Sequence, residues 1–287
     1  MIYLKEFYLP NAETENDRFY NERRTCYNTF YPYCIFPKLQ LKKITFEPLT
    51  IFYGGNGTGK STLLNIIAET LKLKRNAVFN KSSFFNDYIS NCESATSNKI
   101  PPESRIITSD DVFDYILDIR TLNNGIDSKR EELFEEYTEN KYSNFKFRTM
   151  SDLDKLKAVN KSRSKSQSKY VKSELIDNVR EYSNGESAFK YFTEKINENA
   201  LYLLDEPENS LSPKRQIELT KYIEDSARFF NCQFIISTHS PFLLSMKNAK
   251  IYNLDKIPVT TSDWTELENV RTYFQFFEKH RNEFVDF

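Results

Sequence analysis

The run Tyr53-Gly54-Gly55-Asn56-Gly57-Thr58-Gly59-Lys60-Ser61 constrains this chain more than any other stretch, because it reads G-x-x-x-x-G-K-S between an apolar strand pattern and a helical one. Four of the 6 glycines fall in this one turn, where the backbone has to bend tightly and offer its N–H groups to phosphate oxygens. Leu49 to Tyr53 has the pattern of a short buried strand, and Leu63, Leu64, Ile67, Ala68 and Leu71 share one helical face behind the loop. That helix points its positive N-terminal end at a bound anion. A phosphate-binding turn of this kind implies an α/β core.

At 287 residues the chain can bury one good core, or one core with an inserted subdomain. Charged residues make up 28% and the formal net charge is -1, so no global field marks a nucleic-acid or membrane binder, and any such surface has to be local. No run approaches the ~18 apolar residues of a membrane span, and the first residues lack the charged-then-apolar build of a signal peptide. The expected location is cytoplasmic, with no membrane partner. The 4 cysteines, Cys26, Cys34, Cys92 and Cys232, have no C-x-x-C spacing, which argues against a zinc site and gives no reason for a disulfide framework.

Along the chain, Ile2 to Leu4 and Ile44 to Phe46 alternate as strands. Thr29 to Pro37 is dense in aromatics that either pack as an edge strand or offer a ring to an adenine base. After the phosphate-loop helix, the polar segment through Lys99 reads as loop or surface extension. Arg105 to Ser109 reads as a second core strand, followed by a helix with an acidic first turn at Ser109-Asp110-Asp111 and a plausible stop at Gly125. From there to about Tyr182 the pattern is helical and charged. Residues 110–182 are expected to form an inserted helical subdomain, with residues 1–109 and 183–287 as the core. Its centre, Lys141 to Lys172, is basic and carries only Asp152 and Asp154 as counter-charges. It reads either as a contact for nucleic acid or an acidic partner, or as a solvated face. Beyond it, Leu201 to Leu204 is an apolar strand ending in Asp205-Glu206. Gln233 to Ser237 is another, delivering Thr238-His239-Ser240, and a terminal helix turns Leu267, Val270, Phe274 and Phe277 inward.

The order GGNGTGKS, SNGES, LYLLDEPENSLSP and IISTHSP resembles an ATPase head of the ABC class, of the kind found in RecF, SMC and overcoming-lysogenization-defect proteins. It is most similar to small, stand-alone prokaryotic ATP-binding proteins grouped with the AAA family. The motifs span residues 44 to 254. The resemblance implies a P-loop NTPase fold, a mostly parallel sheet flanked by helices, and ATP hydrolysis with Mg²⁺. Gly54, Gly55, Asn56, Gly57, Thr58, Gly59, Lys60, Ser61 and Thr62 would wrap the phosphates, with Lys60 neutralising the β and γ groups. Ser61 and Asp205 would serve the metal. Glu206 would be the general base and His239 the γ-phosphate contact. Ser183, Asn184, Gly185 and Glu186 look like the signature motif, which in this class caps the nucleotide of a second copy, and Asn209 lies in the loop that crosses that interface. A head-to-tail homodimer follows, acting as a switch or motor read by a separate effector in DNA repair or antiviral defence. The alternatives are a transporter's ATPase subunit, or a nucleic-acid-binding module regulated by nucleotide. The class usually carries a glutamine where this chain has Ser109-Asp110-Asp111; Asp110 is the residue that could stand in for it.

Overall fold

A computed structural model describes residues 1–21, 26, 27, 29–179 and 183–284. They form two compact units, one of Met1–Phe113 with Asn184–Phe287 and the other of Asp114–Ser183. The first unit opens with β1 (Leu4–Tyr8), α1 (Ala12–Asn21), β2 (Lys43–Thr45), β3 (Leu49–Tyr53), α2 (Lys60–Thr70), α3 (Phe85–Ser90), β4 (Glu93–Thr96) and β5 (Arg105–Thr108). The long helix α4 (Ser109–Tyr142) begins in it and continues into the second unit, which adds α5 (Leu153–Ser164) and α6 (Gln167–Glu174). The first unit resumes with α7 (Asn184–Lys195), β6 (Leu201–Asp205), α8 (Pro213–Phe229), β7 (Gln233–Ser237), α9 (Pro241–Leu244), β8 (Lys250–Asn253), β9 (Thr260–Thr261) and α10 (Glu268–Lys279).

Its main sheet has the order β5-β6-β7-β3-β8-β9, with the first five strands parallel and β9 antiparallel at the edge. Strands β3 and β7 are buried along their whole length. This is why their sequences are mostly apolar without alternation, with Thr50, Gln233 and Ser237 as buried polar exceptions. Helix α2 packs against β5, β6 and β7. The register sets Thr108 beside Asp205, Asp205 beside Ser237, Ser237 beside Phe52 and Tyr53 beside Asn253. Five strands therefore end at one edge, where ligands of open α/β sheets bind. The fold is a mixed α/β P-loop architecture with a mostly parallel central sheet flanked by helices.

A second, antiparallel sheet has the order β2-β1-β4. The side chain of Gln233, fully buried in β7, joins it to the main sheet. Its Oε1 accepts from the backbone N–H groups of Tyr3 (2.8 Å) and Leu4 (2.9 Å), and its Nε2 donates to the Leu4 carbonyl (2.8 Å). The segment expected to be loop through Lys99 contributes α3 and β4, because Phe84, Phe85 and Tyr88 are buried in the core and Glu93–Thr96 completes the edge of β1. The aromatic segment around Pro32 forms successive turns instead of an edge strand, with Tyr33 and Phe36 buried.

In the second unit α4 passes straight through Gly125, whose missing Cβ faces open space, so the residue costs only backbone entropy and does not stop the helix. Leu133, Tyr137, Tyr170 and Val171 form a small core there. The turn before α5 is capped by Thr149 with Asp152 in reciprocal hydrogen bonds. The basic stretch gains one counter-charge from beyond its own sequence, Glu174. Lys161 pairs with Glu174, Lys157 with Asp154 (3.4 Å), and Arg163 donates to the carbonyl oxygens of Lys141 and Ser143. Tyr182, where the helical pattern was expected to end, lies outside the described residues. Among the described residues no helix is long and apolar enough to cross a membrane.

Candidate functional site

The phosphate loop leaves β3 at Gly54 and enters α2 at Lys60. Gly57 (φ 80°) and Gly59 (φ 94°) take left-handed backbone that side chains disfavour, and a Cβ on Gly59 would stand 3.0 Å from the Ile35 methyl. Thr58 Oγ1 closes the turn by donating to the Gly55 carbonyl (2.9 Å). Asn56 and Gly57 are exposed at its tip. Thr62, one turn into α2, accepts a hydrogen bond from the Tyr31 hydroxyl (3.0 Å), so the aromatic turns lie directly on the loop.

Lys60 is buried, and its Nζ donates to the carbonyl oxygens of Gly54 (2.8 Å) and Gly55 (3.0 Å) and lies 2.7 Å from His239 Nε2. Burial holds its pKa below the ordinary lysine value, with Glu206 and Asp205 opposing that. Asp205 ends β6, where its Oδ1 accepts from Ser61 Oγ (3.0 Å) and from the Ser237 hydroxyl. Burial raises its pKa, and the two hydroxyl donors oppose the rise. A buried ammonium beside a half-buried carboxylate suits a site that gains both an anion and a cation on loading.

Glu206 follows with a left-handed backbone (φ 47°), a conformation a glutamate holds at a cost of about 1–3 kcal/mol. Its N–H donates to the Ser237 carbonyl (3.0 Å), its Oε1 lies 3.7 Å from His239 Nε2, and its Oε2 accepts from Asn209 Nδ2 (3.0 Å). His239 sits on the turn after β7. Burial first, and Lys60 next, lower its pKa, which keeps the imidazole neutral near pH 7. Sequence patterns thus led to Lys60, Ser61, Asp205, Glu206 and His239, and the sheet edge brings all five together.

Ser183 immediately precedes α7, and Asn184, Gly185 and Glu186 form its first turn, with Ser183, Asn184 and Glu186 exposed. A Cβ on Gly185 would stand 3.5 Å from the Ser210 carbonyl, so this turn lies against the loop that carries Asn209. Glu186 and Glu218 share Arg215. At the glutamine position of the class, Asp111 is spent on structure: it accepts from Thr108 N–H (2.7 Å), Thr108 Oγ1 (2.9 Å) and Ala77 N–H (2.8 Å). Asp110 is exposed beside it.

Three site neighbours were not foreseen as functional residues. Asp255 Oδ1 accepts from the Gly55 N–H (2.8 Å). Glu208 Oε1 accepts from the turn that carries His239. Asn269, at the start of α10, donates to the His239 carbonyl (2.6 Å). Asp255 and Asn269 lie outside every motif, and only the fold reveals them. Glu208 stands in the Asp-Glu-Pro-Glu-Asn block, where its spacing from Glu206 carries no separate signal. Beside His239 opens a cleft of about 1000 Å³ whose lining includes Glu208, Gln216, Phe242, Phe274 and Phe277. Phe274 (67% exposed) and Phe277 (53%) therefore face outward, against the expectation from periodicity; Leu267 and Val270 alone anchor this helix in the core.

The residues fit a magnesium ion in donor chemistry: Ser61 and Asp205 offer hard oxygen ligands, and their existing hydrogen bond places them side by side. Among the described residues no group of three or more His, Cys, Asp or Glu gathers as an all-protein metal site.

A family model described as ABC transporter matches residues 43–209, more than half of the chain, and one described as AAA ATPase domain matches residues 183–244. Among solved structures, the Smc head domain from Pyrococcus furiosus bound to the C-terminal domain of ScpA is 14% identical, with 98% of this chain and 100% of that one covered and a TM-score of 0.42. A dimeric ATP-binding cassette in a post-hydrolysis state with ADP and Pi is 12% identical, covering 78% and 90%, with a TM-score of 0.37. An inward-facing metal-chelate type ABC transporter is 19% identical, covering 82% and 81%, with a TM-score of 0.37. At these identities and scores the neighbours add nothing to the family match. No curated protein matches.

Proposed function

We propose that this chain, which belongs to the ABC transporter family and is an ATPase, works as an ATP-driven dimerising switch whose two nucleotide sites are each completed by a second copy. The observation that carries this reading is the convergence of Lys60, Ser61, Asp205, Glu206 and His239 on one sheet edge beside the phosphate loop. Phosphoryl transfer to water asks mainly for positioning and for charge compensation. The amides of Gly54 to Thr62 hold the triphosphate, and Lys60 leaves its carbonyl partners to meet the β and γ groups. Ser61 and Asp205 would hold Mg²⁺, which would supply electrostatic compensation of the phosphate oxygens. Glu206 takes a proton from the attacking water, and neutral His239 donates to the γ-phosphate.

Ser183, Asn184, Gly185, Glu186 and Asn209 act on the partner's nucleotide. The exposed helix N-terminus at Asn184 and its packing against the Asn209 loop support this, since one surface then presents both motifs. In the isolated chain Asn209 is instead engaged with Glu206. Effector action in DNA repair or antiviral defence, through a separate protein, is the biological setting we favour. Light scattering on Glu206→Gln tests the reading. Nucleotide affinity should stay within about threefold and hydrolysis should fall about 10²-fold or more, with ATP trapping a dimer. Undiminished hydrolysis would remove Glu206 from its role, and a monomer at saturating ATP would remove the switch.

The description of the matching family favours a second reading, the ATPase subunit of a membrane transporter. Co-purification with a membrane permease would establish it. A role for the Lys141–Lys172 region on nucleic acid is weakened by the pairing of Lys157 and Lys161 with acidic residues.

A further inference from the structure

The carboxylate of Glu208 gathers three donors from the turn after β7 onto one oxygen. Its Oε1 accepts from Thr238 Oγ1 (2.7 Å), His239 N–H (2.7 Å) and Ser240 N–H (3.2 Å), while Oε2 is buried without a hydrogen-bond partner. The same turn is tied on its far side, where Ser240 Oγ donates to Gln216 Oε1 (2.7 Å) on α8, and Gln216 Nε2 donates to the Leu211 carbonyl (2.9 Å). Glu208 itself lies in the tight turn Glu206-Pro207-Glu208-Asn209, where the Asn209 N–H returns to the Glu206 carbonyl (3.2 Å). A short rigid link therefore runs from the loop carrying Glu206 and Asn209 into the backbone of His239. A carboxylate oxygen that takes one hydroxyl and two N–H donors from three consecutive residues fixes that backbone more tightly than any single bond could, because shifting His239 would strip donors from that oxygen.

We propose that Glu208 is a positioning residue for ATP hydrolysis, acting through His239 and making the position of that imidazole depend on the Asn209 loop. The proposal rests on the reading of His239 as a γ-phosphate contact and of Asn209 as part of the dimer interface. It assigns Glu208 no contact with nucleotide. A partner copy that moves the Asn209 loop moves His239 with it, so the histidine reports assembly as well as nucleotide.

The test is a double-mutant cycle in the full chain with Glu208→Ala and His239→Ala, each also measured for nucleotide affinity and for thermal midpoint. Glu208→Ala should lower kcat by about 10- to 100-fold with nucleotide Kd within about threefold, and should cost less than about twofold more in the His239→Ala background. Glu208→Gln keeps the acceptor oxygen and should restore most of the rate. Should Glu208→Ala fail to fold, Glu208→Asp takes its place in the cycle with the same expectations, since it keeps the charge and withdraws the oxygen by one methylene. Losses that multiply in the double variant, or an unchanged rate on removing Glu208, overturn the positioning role alone. An unchanged rate in His239→Ala removes the reading of His239, and this proposal falls with it. A merely structural role would lower the thermal midpoint without making the two kinetic losses redundant.

Discussion

His239 owes its low proton affinity to burial and to Lys60, and this has a consequence for stability. The unfolded chain takes up a proton at His239 near the free-imidazole pKa of 6.5, which the folded, nucleotide-free chain refuses until a lower pH. Folded-state stability from this residue is therefore present above about pH 6.5 and is lost as pH falls toward the lowered value. Urea midpoints followed from pH 8 to pH 5 should fall more steeply for the parent than for His239→Gln. Parallel slopes would mean that the imidazole is no more hindered from charging in the fold than in the unfolded chain. Asp205 and Glu208 contribute slopes of opposite sign above the ordinary carboxylate pKa, because burial raises their pKa, and both variants share those slopes. At this scale the sequence was informative where a motif ended a strand, as at Asp205-Glu206. It was silent where a contact joined distant segments: Asp255 meets Gly55 across 200 positions with no pattern to announce it.

Elements were legible in proportion to their burial. The mostly apolar strands β3, β6 and β7 could be placed from sequence because parallel strands covered on both faces read as apolar runs with little alternation. The helix α10 misled because periodicity identifies an apolar stripe without saying what covers it. Replacing Phe274 and Phe277 together by Ser should change the stability of the monomer by less than about 1 kcal/mol, since surface substitutions usually fall within about ±0.5 kcal/mol each. A loss of several kcal/mol in denaturant titration would put the two rings in a core. Gly125 misled in the opposite direction, as a stop that is an interior residue of α4. Because nothing lies within 4 Å of its absent Cβ, Gly125→Ala should stabilise the chain by about 0.5–1 kcal/mol, measurable as a raised urea midpoint.

At the scale of the whole molecule, the class of the core and the sheet edge that carries the site followed from motif order, whereas the pairing of the antiparallel β2-β1-β4 sheet did not. Alternation marked strands near β1 and β2, but β4 is short, polar and almost entirely exposed, so no pattern reveals it or the sheet it completes. Two buried side chains join it to the main sheet, Gln233 from β7 and Tyr252 from β8, whose hydroxyl bonds the Thr45 backbone. Gln233→Ala would leave two buried backbone N–H groups, those of Tyr3 and Leu4, without acceptors, which should cost about 2–4 kcal/mol in a denaturation curve. A cost below about 1 kcal/mol would show that water or another acceptor takes its place.

The position of β3 also sets when this core can form. Its two neighbours in the sheet, β7 and β8, come from the far end of the chain, so Leu49 waits for Phe234 and Ile51 for Ile251. A ribosome-bound chain synthesised as far as α7 has made its phosphate loop but has no partner for either edge of β3. Such late, long-range parallel pairing is slow and leaves apolar strands open to aggregation in the meantime. The phosphate loop is encoded well before β7 and β8, but it becomes part of a folded sheet only once the chain has emerged past β8.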